Sequence, residues 1–307
     1  MPPTGIRSAP ERPQGGAKFG CPRSVPYSPL MSHSDLPEAC YLPVGELGPR
    51  GGEQFDSTRL SAAPWYPDGQ HGGAVAGLMA RAVEQQATLT SMEVARVTIE
   101  LFRAIPVTRL EVVTDVVREG KKIQTSSVSV FAGDVEMARG LVQRLRVTDL
   151  ARDFQNPPPP TPPEELDPQS FGDVMFFPDD GLVSFGRDAV EVAQASGSFV
   201  DLGPKTVWFR IIVPLVAGEA LSPLQRAVMS GDFSNGLTRH AQPFEVMFMN
   251  SDLTVRLARY PQGEWIALAG DALWDRGGRG TAQTTMFDIG GAFGTAGQTL
   301  FLEKVSD

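Results

Sequence analysis

One stretch does most to limit how this 307-residue chain folds: NPPPPTPPEELDP, at 156–168. Proline fixes its own backbone angle and lacks an amide donor, so such a run is stiff, extended and unsuited to the interior of a sheet. Read as an inter-domain linker over 153–169, it leaves two halves that repeat one pattern. The first, 51–152, has a short strand within 55–65 and a turn at 66–69, then HGGAVAGLMARAVEQQ, in which Val75, Leu78, Met79 and Ala82 fall at helical spacing. Strand-like segments follow at 94–103, 110–118, 122–131 and 135–147, separated by turn residues such as Glu119-Gly120 and Gly133-Asp134. The second, 170–307, carries strand-like 205–213, a helix at 222–236, then strands at 244–257, 264–274 and 280–288. One helix on a meandering antiparallel sheet is an α+β unit, and two such units can lie side by side as a pseudo-dimer sharing one extended sheet. Residues 1–50, rich in proline, glycine and serine, read as a disordered leader, with Met31 an alternative start.

Composition narrows the function. A net charge of −9 disfavours a general binder of nucleic acid or anionic membrane, since those surfaces are themselves negative. No apolar run approaches the ~18 residues of a membrane span, and the N-terminus has no signal-peptide pattern, so a cytoplasmic protein is expected. The two cysteines, Cys21 and Cys40, fall in the leader, and no Cys/His cluster has zinc spacing, so no disulfide framework and no metal are expected. Hydrolase elbow, dinucleotide fingerprint and phosphate loop are all missing. His71 and His240 read as turn or capping residues, which leaves carboxylate and amide chemistry.

The candidate acid lies in 222–236, SPLQRAVMSGDFSNG. Ser222, Pro223 and Gln225 form an N-terminal signature with a capping box, and Asn235-Gly236 is a stop signal. Asp232 falls in the last turn, where the helix dipole disfavours a carboxylate. In FMNSDLTVRL, Asn250, Asp252, Thr254 and Arg256 share one face; in GTAQTTMFD, Gln283 shares its face with Thr281 and Thr285. A carboxylate with an Asn and a Gln side chain can bind one water, take its proton and direct it at a carbonyl. The oxyanion would rest on helix-terminal amides, for which Gly72 and Gly73 at the start of the first helix are the candidates.

Residues 55–303 resemble the acyl-CoA thioesterase II type of double hotdog protein. The carriers are HGGAVAGLMARA and VTIELFRAIP in the first half, then VWFRIIVPLVAGEALSPLQRAVMSGDFSNG, FMNSDLTVRL, GEWIAL and TAQTTMFD in the second. The resemblance implies two fused hotdog domains, each a helix wrapped by an antiparallel sheet. It also implies an active site of an aspartate on the second helix, a small polar residue on the next strand and a glutamine on a late strand. Asp232 matches the first and Gln283 the last; Asn250 stands where threonine is usual, offering an amide in place of a hydroxyl. Gly73 matches a glycine pair near the thioester. The implied activity is hydrolysis of an acyl-CoA to free CoA and a carboxylic acid, without metal or cofactor. Arg276 and Arg279 are candidates for the nucleotide phosphates. The alternative is an acyl-CoA binding or sensing module that does not turn over. Exposed sheet edges favour a homo-oligomer.

Overall fold

The structure, a computed structural model, describes residues 36–175, 181–199, 201–242 and 245–305. The alternative start Met31, Cys21 and most of the expected leader lie outside these residues. The first half contains β1 (Tyr41–Leu47), β2 (Glu53–Ser57), β3 (Ala62–Ala63), β4 (Tyr66–Gln70), α1 (Gly72–Glu84), β5 (Met92–Leu101), β6 (Arg109–Arg118), β7 (Ile123–Ala132) and β8 (Val135–Arg146). The second contains β9 (Gln169–Ser170), α2 (Phe171–Val174), α3 (Phe185–Asp188), β10 (Val190–Ser196), β11 (Thr206–Ile211), α4 (Pro223–Gly231), β12 (Val246–Asn250), β13 (Asp252–Leu257), β14 (Trp265–Asp275), β15 (Arg279–Asp288) and β16 (Gly291–Lys304).

Fourteen strands form one antiparallel sheet in the order β1-β2-β6-β7-β8-β5-β13-β16-β15-β14-β11-β10-β9, with β12 added along β16. The two halves join where β5 meets β13, Thr98 facing Thr254 and Val97 facing Val255. Each half therefore wraps its own central helix, and the expected α+β double hotdog with one extended sheet is what forms. The helices meet inside it. α1 is buried on every side from Gly73 to Val83, as a helix enclosed by a sheet must be. A Cβ on Gly77 would come 2.6 Å from Met229 Cγ, so glycine is what lets α1 and α4 approach. They run antiparallel: Glu84, ending α1, accepts from Ser222 Oγ (2.8 Å) and Gln225 Nε2 (3.0 Å) at the start of α4.

Residues 66–69, expected as a turn, lie in β4, and the strand expected over 244–257 is divided into β12 and β13. Three further differences shape the body. The folded body starts before residue 51, because β1 pairs with β2 and Tyr41 exchanges backbone hydrogen bonds with Leu215 and Ala217 of the second half. Pro43 and Gly45 disguise this strand, and it tolerates them because it lies at the sheet edge. Cys40 is thus part of the core, where burial pushes its thiol far above the ordinary range and makes it an inert hydrophobe. The proline-rich linker is pinned to the second half: Thr161 O accepts from Trp208 Nε1 (2.8 Å), and Pro157 O from the Ala292 amide (2.9 Å). Last, β16 is a full fourteen-residue strand beyond the expected final one. GAFGTAGQTLFLEK is too rich in glycine and alanine to read as a strand, but its place between β13 and β15 supplies partners on both sides.

Candidate active site

Asp232 is where α4 stops. The capping box of Ser222 and Gln225 starts the helix as expected, but its end differs: at Asp232 the chain tightens into a 3₁₀ turn, Asp232–Gly236, that closes without a left-handed residue. The tightening turns Asp232 inward, so its side chain is 5% exposed. Because the helices are antiparallel, the C-terminal end of α4 meets the N-terminal end of α1. The carboxylate therefore lies against the positive end of α1's dipole, and its position is electrostatically sound.

Three side chains hold it. Asn250, on β12, donates from Nδ2 to Asp232 Oδ1 at 3.0 Å, and its own Oδ1 accepts from Asn235 Nδ2 at 3.3 Å. Gln298, on β16, donates from Nε2 to the same Oδ1 at 3.0 Å and to the Asp232 backbone carbonyl at 3.1 Å. Those two acceptors fix the amide's orientation and leave Gln298 Oε1 buried, with no hydrogen-bond partner among the described residues. His71, the N-cap of α1, brings Nδ1 within 3.1 Å of both the Gly73 amide and Asp232 Oδ2. One nitrogen cannot serve both: its lone pair accepts the Gly73 proton, whereas only an N–H donates to Asp232. When Nδ1 carries a proton for Asp232, the Gly73 amide is released. Phe185 and Phe233 enclose the imidazole, each with its ring centre 5.0 Å away, and Trp65 stands on the outer side at 5.7 Å.

Of the residues picked from the sequence, Asp232, Asn250, Gly72 and Gly73 come together. Gln283 does not join them. It is exposed on β15, while its neighbour Thr284 faces inward and shares a hydrogen bond with Ser234 Oγ at 2.9 Å. The glutamine beside Asp232 is Gln298, on the strand hidden by its composition. His71, set aside as a capping residue, does cap α1, and it also touches the acid. Arg276 and Arg279 are exposed at the β14–β15 turn. The inward positions of β5 and β8 at the other end of the helix pair, Val94, Val97 and Val142, are buried valines. Glu84 there is raised above the usual carboxylate range by burial, against the pull of its Ser222 and Gln225 bonds, and it faces no such set of amides.

Fold and site together define a double hotdog protein with one buried carboxylate between its two central helices. The profile of the acyl-CoA thioesterase N-terminal domain matches residues 61–145, and that of the acyl-CoA thioesterase C-terminal domain matches residues 157–302. The chain belongs to the acyl-CoA thioesterase family, and its class is thioester hydrolase. No curated protein matches the sequence significantly. Among solved structures, a protein of Thermobifida fusca YX provisionally assigned as a thioesterase II is similar, with a TM-score of 0.65 and 15% identity, over 87% of this chain and 96% of that one. An acyl-CoA thioesterase II of Mycobacterium marinum follows at 0.61 and 14%, over 83% and 93%. A hotdog protein of unknown function from Alicyclobacillus acidocaldarius gives 0.62 and 13%, over 84% and 96%. At such identities these likenesses speak to the fold. No helix among the described residues is long and apolar enough to cross a membrane, and none of their His, Cys, Asp and Glu side chains group as metal ligands.

Proposed function

We propose that the protein hydrolyses an acyl-CoA by activating water at Asp232. The observation that carries this reading is the buried carboxylate held by two amide donors beside a glutamine oxygen, Gln298 Oε1, that has an unused acceptor. A water donating one proton to that oxygen and the other to Asp232 would be both oriented and activated. It attacks the thioester carbonyl; the proton passes to Asp232 and on to the departing thiolate, giving free CoA and a carboxylic acid. The thiolate leaves readily, so a single general base suffices. The oxyanion rests on the first-turn amides of α1, Gly72 and Gly73, once His71 turns its Nδ1 proton to Asp232 and gives up the Gly73 cap. In this reading Gln298 takes the role the sequence lent to Gln283. A cytoplasmic setting and association through the open edges at β1 and β9 complete it.

A second reading is favoured by the capped Gly73 amide: a module that binds acyl-CoA without turning it over. Release of CoA thiol from short, medium and long acyl-CoA substrates, by wild type and by Asp232→Asn, separates the two. Turnover that drops at least ~100-fold in the variant supports the hydrolase. Turnover indifferent to the change sinks the role of Asp232, and binding without turnover establishes the module.

A further inference from the structure

The reverse face of the sheet that carries Gln298 holds a cleft of about 620 Å³, in the range of small-molecule sites. Its floor follows from strand register. One row crosses five strands, with Arg256 opposite Thr295, Thr295 opposite Thr285, Thr285 opposite Ala269, and Ala269 opposite Thr206. At ~4.8 Å between neighbours this row spans about 19 Å. Gly297, Gln283 and Asp271 form a second row beside it. The outward side chains there are small or hydrogen-bonding, and no aromatic or large aliphatic residue lines the cleft, so its floor offers hydroxyls and amides but nothing on which to stack a ring.

Charge is placed at one end, where Arg256 is exposed on β13. Lys205, next to Thr206 and paired through its carbonyl with Gly270, turns its side chain to the other side of the sheet, where the carbonyls of Asp201 (2.8 Å) and Gly203 (3.0 Å) hold the ammonium. Asp271, acceptor-only, calls for a hydroxyl donor. We propose that this cleft binds a small anion bearing several hydroxyls, a sugar phosphate or a sugar acid, with the anionic group at Arg256 and the hydroxyls on Asp271, Gln283 and the threonines.

The site is coupled to the candidate active site through single peptides. Successive strand residues face opposite ways, so Gly297 lines the cleft while Gln298 holds Asp232. On β15, Gln283 and Thr285 face the cleft while Thr284 bonds Ser234 in the 3₁₀ turn. A ligand that stiffens these strands from outside therefore stiffens the groups that hold the acid.

The test is calorimetric titration of the full chain with glucose 6-phosphate, with gluconate, and with inorganic phosphate alone. One saturable site per chain for either sugar derivative, weakened at least tenfold by Arg256→Gln, is expected. Gly297→Ala, whose new methyl would meet Ala282 O at 3.6 Å and so fits the fold, should weaken binding by narrowing the cleft. Asp232→Asn should bind as wild type does, which keeps this result separate from any failure of the hydrolase reading. Amide hydrogen exchange in β15 and β16 should slow when the cleft is filled. Absence of binding by both sugar derivatives overturns the proposal, as does phosphate alone binding equally well, or Arg256→Gln at full affinity. So does self-association that Thr285→Trp abolishes while no probe binds, since the cleft is then a contact between copies of the chain. Unchanged exchange in β15 and β16 with binding intact overturns the coupling.

Discussion

Asp232 closes α4, yet its carboxylate lies against Gly72, which opens α1: a Cβ at Gly72 would sit 2.8 Å from Oδ2 and 3.0 Å from Oδ1. The position has room for an acid only because it has no side chain of its own. Gly72→Ala must push the carboxylate away from Asn250 and Gln298, or α1 away from α4. Misplacing a catalytic group by about 1 Å costs on the order of 100-fold in rate, while overpacking of this kind costs about 1–3 kcal/mol of stability. Thioester hydrolysis by Gly72→Ala should thus fall by roughly two orders of magnitude in a protein that still melts cooperatively. Near-normal kcat with the variant would mean that this contact does not position the base.

Gln298 and Gln283 provide an internal control, since one glutamine touches the acid and the other faces the opposite side of the sheet. Gln298→Ala removes two hydrogen bonds to Asp232 and the acceptor offered to water, so kcat should drop about 10²-fold. Gln283→Ala, an exposed change, should lie within ~0.5 kcal/mol of wild type in stability and leave hydrolysis intact. The opposite ranking of the two variants would return the role to Gln283.

His71 has two duties that substitution can separate. Asparagine is a good N-cap and can still accept from the Gly73 amide, whereas alanine cannot; His71→Ala should lose about 1 kcal/mol in urea unfolding and His71→Asn much less. Neither retains an imidazole beside Asp232 Oδ2, so both should lose activity. Full activity in His71→Asn would confine the residue to capping.

The sequence made the helix starts and Asp232 legible because capping chemistry and apolar spacing are local signals. The four long strands of the first half, β5 to β8, were legible for the same reason, their alternation being strong. What escaped was determined by tertiary context. β1 carries Pro43 and Gly45, which an edge strand accommodates; β16 is poor in β-branched residues and owes its conformation to strands on both flanks. With β16 disguised by its composition, the sequence points to a glutamine one strand too early, on β15. Nor could the chain disclose that Asp232 faces the other helix's N-terminus, since that depends on how two segments ~150 residues apart in sequence come together.

The last hairpin, β15–β16, is tied down by Asp288, which is fully buried and paired with Arg259: Arg259 Nη2 donates to Oδ1 at 2.7 Å, and the amides of Gln262 and Gly290 donate at 2.7 and 2.8 Å. Burial alone would push this carboxyl up, but the Arg259 and backbone hydrogen bonds outweigh it and hold it below the usual range. A group depressed on folding binds fewer protons in the native than in the unfolded chain. Its stabilisation is therefore present above the unfolded value, ~3.9, and is lost as pH falls through the lower folded value. Asp288→Asn should cost about 2 kcal/mol at neutral pH, the scale of hydrogen bonds to a charged group. The difference from wild type should shrink as pH is lowered below ~4, where wild type loses the same interactions. Urea unfolding of both proteins across that range measures it. A gap that stayed constant into strong acid would mean that Asp288 holds the hairpin by shape and not by charge.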